Sequence, residues 1–197
     1  MTKIRISISA ILVWLLLPLL FQSEGIFLLL TLMCSILHEL FHLAAFHCCG
    51  AKAQEITIFP FGISVQRSAL LEISGKQEIF CALAGPLCNF FLAGGAWLFP
   101  TATEPLRSFL LYCNLSLAII NLLPVLPLDG GRIFYFILTA RFDVIKSEQI
   151  CTVTGWILSA ALFIFGFWYL LDTGNNFSLL MISSYLVLCA FFKKNMI

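Results

Sequence analysis

The sequence predicts an all-α polytopic membrane protein, with about six transmembrane helices and a short membrane-associated β-hairpin between the second and third. Three observations predict it. The chain is 61% hydrophobic and only 11% charged, with a mean hydropathy of +1.02, whereas soluble domains carry about a quarter charged residues. Apolar runs long enough to cross a hydrocarbon core of roughly 30 Å recur near 4–21, 26–46, 78–100, 106–123, 150–171 and 177–192. Between the second and third runs, two stretches rich in β-branched and aromatic residues flank a Pro/Gly turn. Residues 1–197 read as a single domain.

The first run follows Lys3 and Arg5 and is not followed by a small-x-small cleavage site, so it is expected to stay as an uncleaved helix. The second carries the polar string "HELFH" at 38–42. The connection after it contains "KAQEITIFPFGISVQ", which reads as a hairpin around Phe59-Pro60-Phe61-Gly62. Its apolar residues, Ile56, Ile58, Phe59, Phe61, Ile63 and Val65, suit an element dipping into the membrane face, where irregular backbone must pack on protein or line a cavity. The fourth run ends in "NLLPVLPLDGGR" at 121–132, where Pro124, Pro127, Gly130 and Gly131 break the helix. The fifth and sixth are nearly devoid of polar groups and are expected to brace the core. Gly94, Gly95, Gly155 and Gly166 read as small residues for close helix approach.

Six spans put both termini on one side with the 47–77 and 124–149 connections. Ten of the eleven Lys and Arg residues fall there, Arg107 being the exception, which assigns that side to the cytosol. A net charge of +1 excludes a strongly basic nucleic-acid surface. The eight cysteines show no C-x-x-C spacing and most lie in or at the ends of apolar runs, so no disulfide framework is expected. The "HCCG" string at 47–50 is a poor chelate and reads as structural or lipidated.

His38 and His42 are four positions apart, about 40° around one helix face and one turn from each other, so both imidazoles can reach one ion. Glu39 stands at another azimuth, where its carboxylate can take a proton from an attacking water without binding the metal. His47 folds to about 140° from His42 and points elsewhere. A charge near the bilayer centre costs about 2.5–3.5 kcal/mol, which metal chemistry at this triplet would offset. A satisfied interhelical polar cluster is the bland alternative. A catalytic zinc wants three protein ligands, and Asp129 is the best third candidate. The second run carries His38 about 18 Å from Ile26 and the fourth delivers Asp129 just past its end, so both are expected in the cytosolic third of the membrane. Asp143 and Glu148 read as solvated loop charges, while Glu24, Glu104 and Asp172 fall on the opposite side.

H38-E39-L40-F41-H42, taken with N121 and L128-D129-G130, resembles the site-2 protease family of intramembrane zinc metalloproteases, peptidase M50-like. "AGPLCN" at 84–89 resembles the family's small-residue segment, and "FPFG" at 59–62 its membrane-facing β element. The layout is closest to the sporulation-type subgroup. The resemblance implies that His38, His42 and Asp129 hold Zn2+ and that Glu39 is the catalytic base. It further implies substrate-binding or site-shaping roles for Asn121, Asn89, Gly85, Phe61 and Gly62, although the segment reads N-L-L-P where many relatives have N-P. The expected activity is regulated intramembrane proteolysis of a peptide bond in or near a transmembrane segment. Its partners would be a membrane-protein or membrane-associated substrate, the lipid bilayer and a regulatory membrane protein, with no nucleic acid. No PDZ insertion or CBS pair is expected, and the location implied is the bacterial cytoplasmic membrane, with the active-site opening on the cytosolic side. The hairpin would capture unwound substrate by β-addition or plug the site. The competing readings are a relative that binds membrane clients without cutting them, and a metal or ion transporter.

Overall fold

The computed structural model describes residues 3–6, 25–50, 53–59, 62–67, 73–98, 103–173 and 178–192. In order these form β1 (Lys3–Ile6), α1 (Gly25–Cys48), β2 (Ala53–Phe59), β3 (Gly62–Arg67), α2 (Gly75–Leu98), α3 (Glu104–Asn121), α4 (Asp129–Thr139), α5 (Val144–Thr173) and α6 (Ser178–Phe192). The fold is predominantly helical. Two compact units, Met1–Ile119 and Ile120–Ile197, are described in turn.

In the first unit α1 and α2 pack along their lengths. Each has 24 residues, which at 1.5 Å per residue gives about 36 Å, enough to cross a bilayer core. Their packed faces are built from small and polar residues: Cys34, His38, His42 and Ala45 on α1, and Glu78, Cys81, Ala82, Gly85, Cys88, Asn89 and Ala93 on α2. The large apolar side chains face outward, as at Met33, Ile36, Leu87 and Phe91. This inversion of the soluble pattern is stable only where the outer solvent is lipid. The start of α3 is tied to α1 by the tilted ring pair Phe27–Phe109, at 4.7 Å between centroids. One to two turns on, Asn114 donates to Leu110 O at 2.8 Å and to Cys34 Sγ at 3.3 Å.

A three-stranded sheet of order β1-β2-β3 belongs to the same unit. β2 and β3 pair antiparallel with Phe59 opposite Gly62, and β1 pairs parallel to β2 with Ile4 opposite Ile56. Lys3–Ile6 is therefore a strand, which corrects the expected helical start at residue 4. The alternation Ile4-Arg5-Ile6 explains the difference, because period-2 patterning in β-branched residues favours a strand over the first turn of a helix. The rest of the first apolar run, with Glu24, lies outside the described residues, as do Pro60 and Phe61.

In the second unit, the segment between α3 and α4 turns through short backbone bonds, Val125 N–H to Leu123 O at 2.7 Å and Leu128 N–H to Val125 O at 2.9 Å. The Leu126–Pro127 peptide is cis. α4 and α6 each pack on α5. The expected 124–149 connection thus contains a helix of eleven residues, with Asp129 as its first member. α5 begins at Val144, so Glu148 is a half-buried helical residue rather than a loop charge, while Asp143 is exposed. Polar side chains at 146–149 hid this start, since a helix end outside the hydrocarbon carries no apolar signal. Ser147 Oγ and Thr152 Oγ1 return their protons to carbonyls four residues back, Asp143 O at 2.9 Å and Glu148 O at 2.7 Å, which gives each hydroxyl an acceptor close in sequence.

Gly166 gives α5 close approach to α6, since a Cβ there would stand 3.2 Å from Leu180 N. Gly94 and Gly95 do not act this way, for a Cβ at either would meet nothing within 4 Å among the described residues. Among the described residues, three helices are long and apolar enough to cross a membrane: α1, α2 and α5 up to Asp172. With outward apolar faces and buried polar groups, the chain is an integral membrane protein.

Candidate metal centre

The first unit brings together His38, His42, Gly85 and Asn89. His38 and His42 lie one turn apart on the buried face of α1, at 5% and 6% exposure. Their rings meet edge to face, with 4.7 Å between centroids, and the two Nε2 atoms stand 3.1 Å apart. Each outer nitrogen is engaged by α2. His42 Nδ1–H donates to Cys81 O at 2.7 Å, which fixes that tautomer, because a carbonyl can only accept. His42 Nε2 therefore carries a lone pair.

His38 Nδ1 lies 3.0 Å from Asn89 Nδ2, while Asn89 Oδ1 is buried without a hydrogen-bond partner among the described residues. In this orientation Asn89 donates to Nδ1, His38 Nε2 holds the proton, and that proton points at His42 Nε2. An orphaned buried acceptor costs about 1–3 kcal/mol. Turning the amide over puts Oδ1 on a protonated Nδ1, moves the unpartnered place to Nδ2 and leaves His38 Nε2 bare. Two bare nitrogens 3.1 Å apart repel each other unless a cation sits against both.

The residues fit a zinc ion in three respects. Nitrogens sharing a tetrahedral zinc at about 2.0–2.1 Å stand roughly 3.3 Å apart, within a few tenths of the separation found. The outer nitrogens have the carbonyl and amide partners that metal-binding histidines require. The adjoining space is kept clear by Gly85, where a Cβ would sit 2.7 Å from His38 Nε2 and Cε1 and would press on His42 Nε2. A methyl group would collide with both imidazoles at their inner nitrogens.

Glu39, half-buried, follows His38 on the same turn. His47 is exposed in the last turn of α1, away from the pair. In the second unit Asp129 is 8% exposed at the N-terminus of α4, preceded by Leu128, which makes no side-chain cap. Placement in a first turn favours a carboxylate, because the helix amides present partial positive charge there. Two glycines set its position. A Cβ at Gly130 would stand 2.6 Å from Leu123 O and collide with the Leu122 carbonyl, and one at Gly131 would stand 2.6 Å from Leu126 N. Only glycine lets the start of α4 lie this close to the backbone of 122–126. Asn121 is half-buried at the end of α3, and Gly62 begins β3.

One contributor to the site and one buried acid on the same helix escaped the sequence reading. The Cys81 carbonyl that orients His42 is a backbone group and leaves no side-chain signal. Glu78, 4% exposed one turn before Cys81, was legible in principle, since an acidic residue at the head of an apolar run is expected to face protein.

Residues 99–165 match the family model described as Peptidase family M50. The chain is similar to Stage IV sporulation protein FB of Bacillus subtilis, 28% identical over 144 residues, covering 66% of this chain and 50% of that protein. It is also similar to a zinc metalloprotease of Methanocaldococcus jannaschii, 30% identical over 137 residues, covering 66% of this chain and 40% of that one. The chain thus spans half or less of the length of these curated relatives. Among solved structures, the site-2 protease from Methanocaldococcus jannaschii shares the fold, with a TM-score of 0.71 and 24% identity over 100% of this chain and 94% of that one. These likenesses agree on peptidase family M50, whose model matches residues 99–165 of this chain.

Proposed function

We propose that the protein is an intramembrane zinc metalloprotease that hydrolyses a peptide bond in or near a transmembrane segment of a membrane-associated substrate. The observation that carries this is the histidine pair: two Nε2 atoms 3.1 Å apart, outer nitrogens engaged by Cys81 O and Asn89, beside a clearing at Gly85. His38, His42 and Asp129 each offer one ligand atom, which is the donor count of a catalytic zinc with an open position. When bound, zinc supplies Lewis-acid polarisation of the scissile carbonyl and activation of water.

The chain's own residues do the rest. Glu39 takes a proton from the attacking water and returns it to the leaving amine. Cys81 O and Asn89 hold the imidazoles in the ligating tautomer. The buried faces of α1 and α2 keep lipid away from the site, and the polar residues there make a place where water can enter. Asn121 is read as shaping the end of the ligand-bearing segment or binding substrate backbone. Phe61 and Gly62 are read with β2 and β3 as an element at the membrane face, where an edge of the sheet captures an unwound substrate or caps the site. The remaining apolar runs bring the expected spans to about six. Ten of eleven Lys and Arg residues on one side support cytosolic termini and a cytosolic opening of the site, in a bacterial cytoplasmic membrane. Similarity to Stage IV sporulation protein FB supports the sporulation-type subgroup, and the two units are read as working together as one protease domain.

The test compares wild type with Glu39→Gln in membranes. Both should hold zinc after purification, and membrane proteins that disappear with wild type should accumulate, and co-purify, with the variant. Zinc-free wild type that still cleaves, or identical membrane proteomes, would overturn the reading.

A further inference from the structure

Where the turn after α1 meets α2, a second pair of reactive groups adjoins the metal centre. Cys49 Sγ lies 3.7 Å from Cys81 Sγ, although 32 residues separate them in sequence. Cys81 is fully buried on α2, whereas Cys49 is partly exposed beyond the last residue of α1. The backbone holds Cys49 in place: its N–H donates to Ala45 O at 3.0 Å, and Gly50, at φ 77°, turns the chain away directly after it. Ala45, Phe46, Ile73 and Ala84 pack around the two thiols, so neither sulfur has far to move and little room to leave. Van der Waals contact between sulfurs is the separation from which a side-chain rotation can reach the bond length of about 2.05 Å.

We propose that Cys49 and Cys81 form a redox-responsive dithiol, a modification site at which a low-molecular-weight disulfide installs a reversible crosslink between the end of α1 and α2. The exposed thiol reacts first. Cys49, as thiolate, attacks one sulfur of the reagent, giving a mixed disulfide and releasing one thiol. Cys81 then attacks Cys49 Sγ, forming the Cys49–Cys81 bond and releasing the second thiol. The protein loses two electrons and two protons, and the reagent gains both. The linkage would fasten α2, whose Cys81 carbonyl orients His42, to the helix that carries His42. Cys48 is exposed but precedes Cys49 on the outer side of the turn, so it serves as the internal control.

The full-length protein in detergent micelles is equilibrated across a series of reduced and oxidised glutathione ratios, quenched with an alkylating reagent and digested for mass spectrometry. The expected result is a linked Cys49–Cys81 peptide that appears in one two-electron transition, disappears on return to reduced glutathione and persists in Cys48→Ser. In Cys81→Ala, the glutathione adduct should instead accumulate on Cys49, a readout that needs no activity. The proposal is overturned if Cys49 takes glutathione in wild type without passing on to Cys81, if the linkage found joins Cys48 to either partner, or if Cys49 stays unmodified at the most oxidising ratio.

Discussion

Gly85→Ala separates a metal centre from a mere packing contact, because only the first predicts a loss of zinc affinity in a variant that stays folded. The new Cβ would stand 2.7 Å from His38 Nε2 and Cε1 and closer to His42 Nε2, while carbon and nitrogen not bonded to each other rest at about 3.5 Å. The imidazoles must therefore withdraw by about 0.8 Å, whereas zinc coordination tolerates only about 0.2 Å. Disturbing the partners of a ligating histidine already costs 10–100-fold in affinity, so this displacement should cost about 100-fold or more, about 2.8 kcal/mol. If the space served packing alone, the same collision would cost fold stability, about 1–3 kcal/mol by overpacking, with no selective loss of zinc affinity. Competition for zinc against a chelator of known affinity measures the first effect, and circular dichroism in the same detergent shows whether the helices remain. A folded variant with wild-type zinc affinity would refute the assignment of that space to a metal.

Asp129→Asn should lower zinc affinity while leaving helix content unchanged, and unaltered zinc stoichiometry in that variant would move the third ligand elsewhere. Asn89→Ala should reduce zinc affinity by about 10–100-fold, because His38 loses the partner that selects its tautomer; the same chelator titration reads it. Gly130→Ala should lower the thermal unfolding midpoint, since overpacking against backbone costs about 1–3 kcal/mol, and a midpoint equal to wild type would show that the turn at 122–126 yields freely. Glu39→Gln should retain zinc and lose cleavage, whereas loss of zinc in that variant would make Glu39 a ligand rather than a base.

The parts of the fold that rest on local periodicity were legible in the sequence. His38 and His42 share a face because four residues make about one helical turn, whatever surrounds them. Asp129 was legible as chemistry, through an acidic residue among helix breakers, but not as the first residue of α4. The helix is eleven residues long and amphipathic, and its apolar positions are too few to stand out in a chain that is 61% hydrophobic. The strand at Lys3–Ile6 was hidden for a related reason: four residues pairing with Glu55–Ile58 are a non-local event, and the apolar run that follows masked them. Gly85 and Asn89 were named through the resemblance of "AGPLCN" to a family segment, and their physical roles depend on contacts across more than 40 residues of chain.

The polar interior of the helix pair α1–α2 explains why a membrane protein keeps groups that lipid penalises. Each buried nitrogen has one acceptable arrangement for each state of the site. Without a cation, the chain of donors runs from Asn89 through His38 to His42 and ends on the Cys81 carbonyl, with Asn89 Oδ1 left over. Were a cation bound, the amide would turn, both outer nitrogens would donate, and the two inner lone pairs would be free to hold the ion. The change moves one proton across His38 and rotates one amide, with no helix displaced. The pair is thus held ready by its penalties as much as by its bonds: either orientation of the Asn89 amide leaves one of its polar groups over, and two bare imidazole nitrogens 3.1 Å apart are relieved only by a cation.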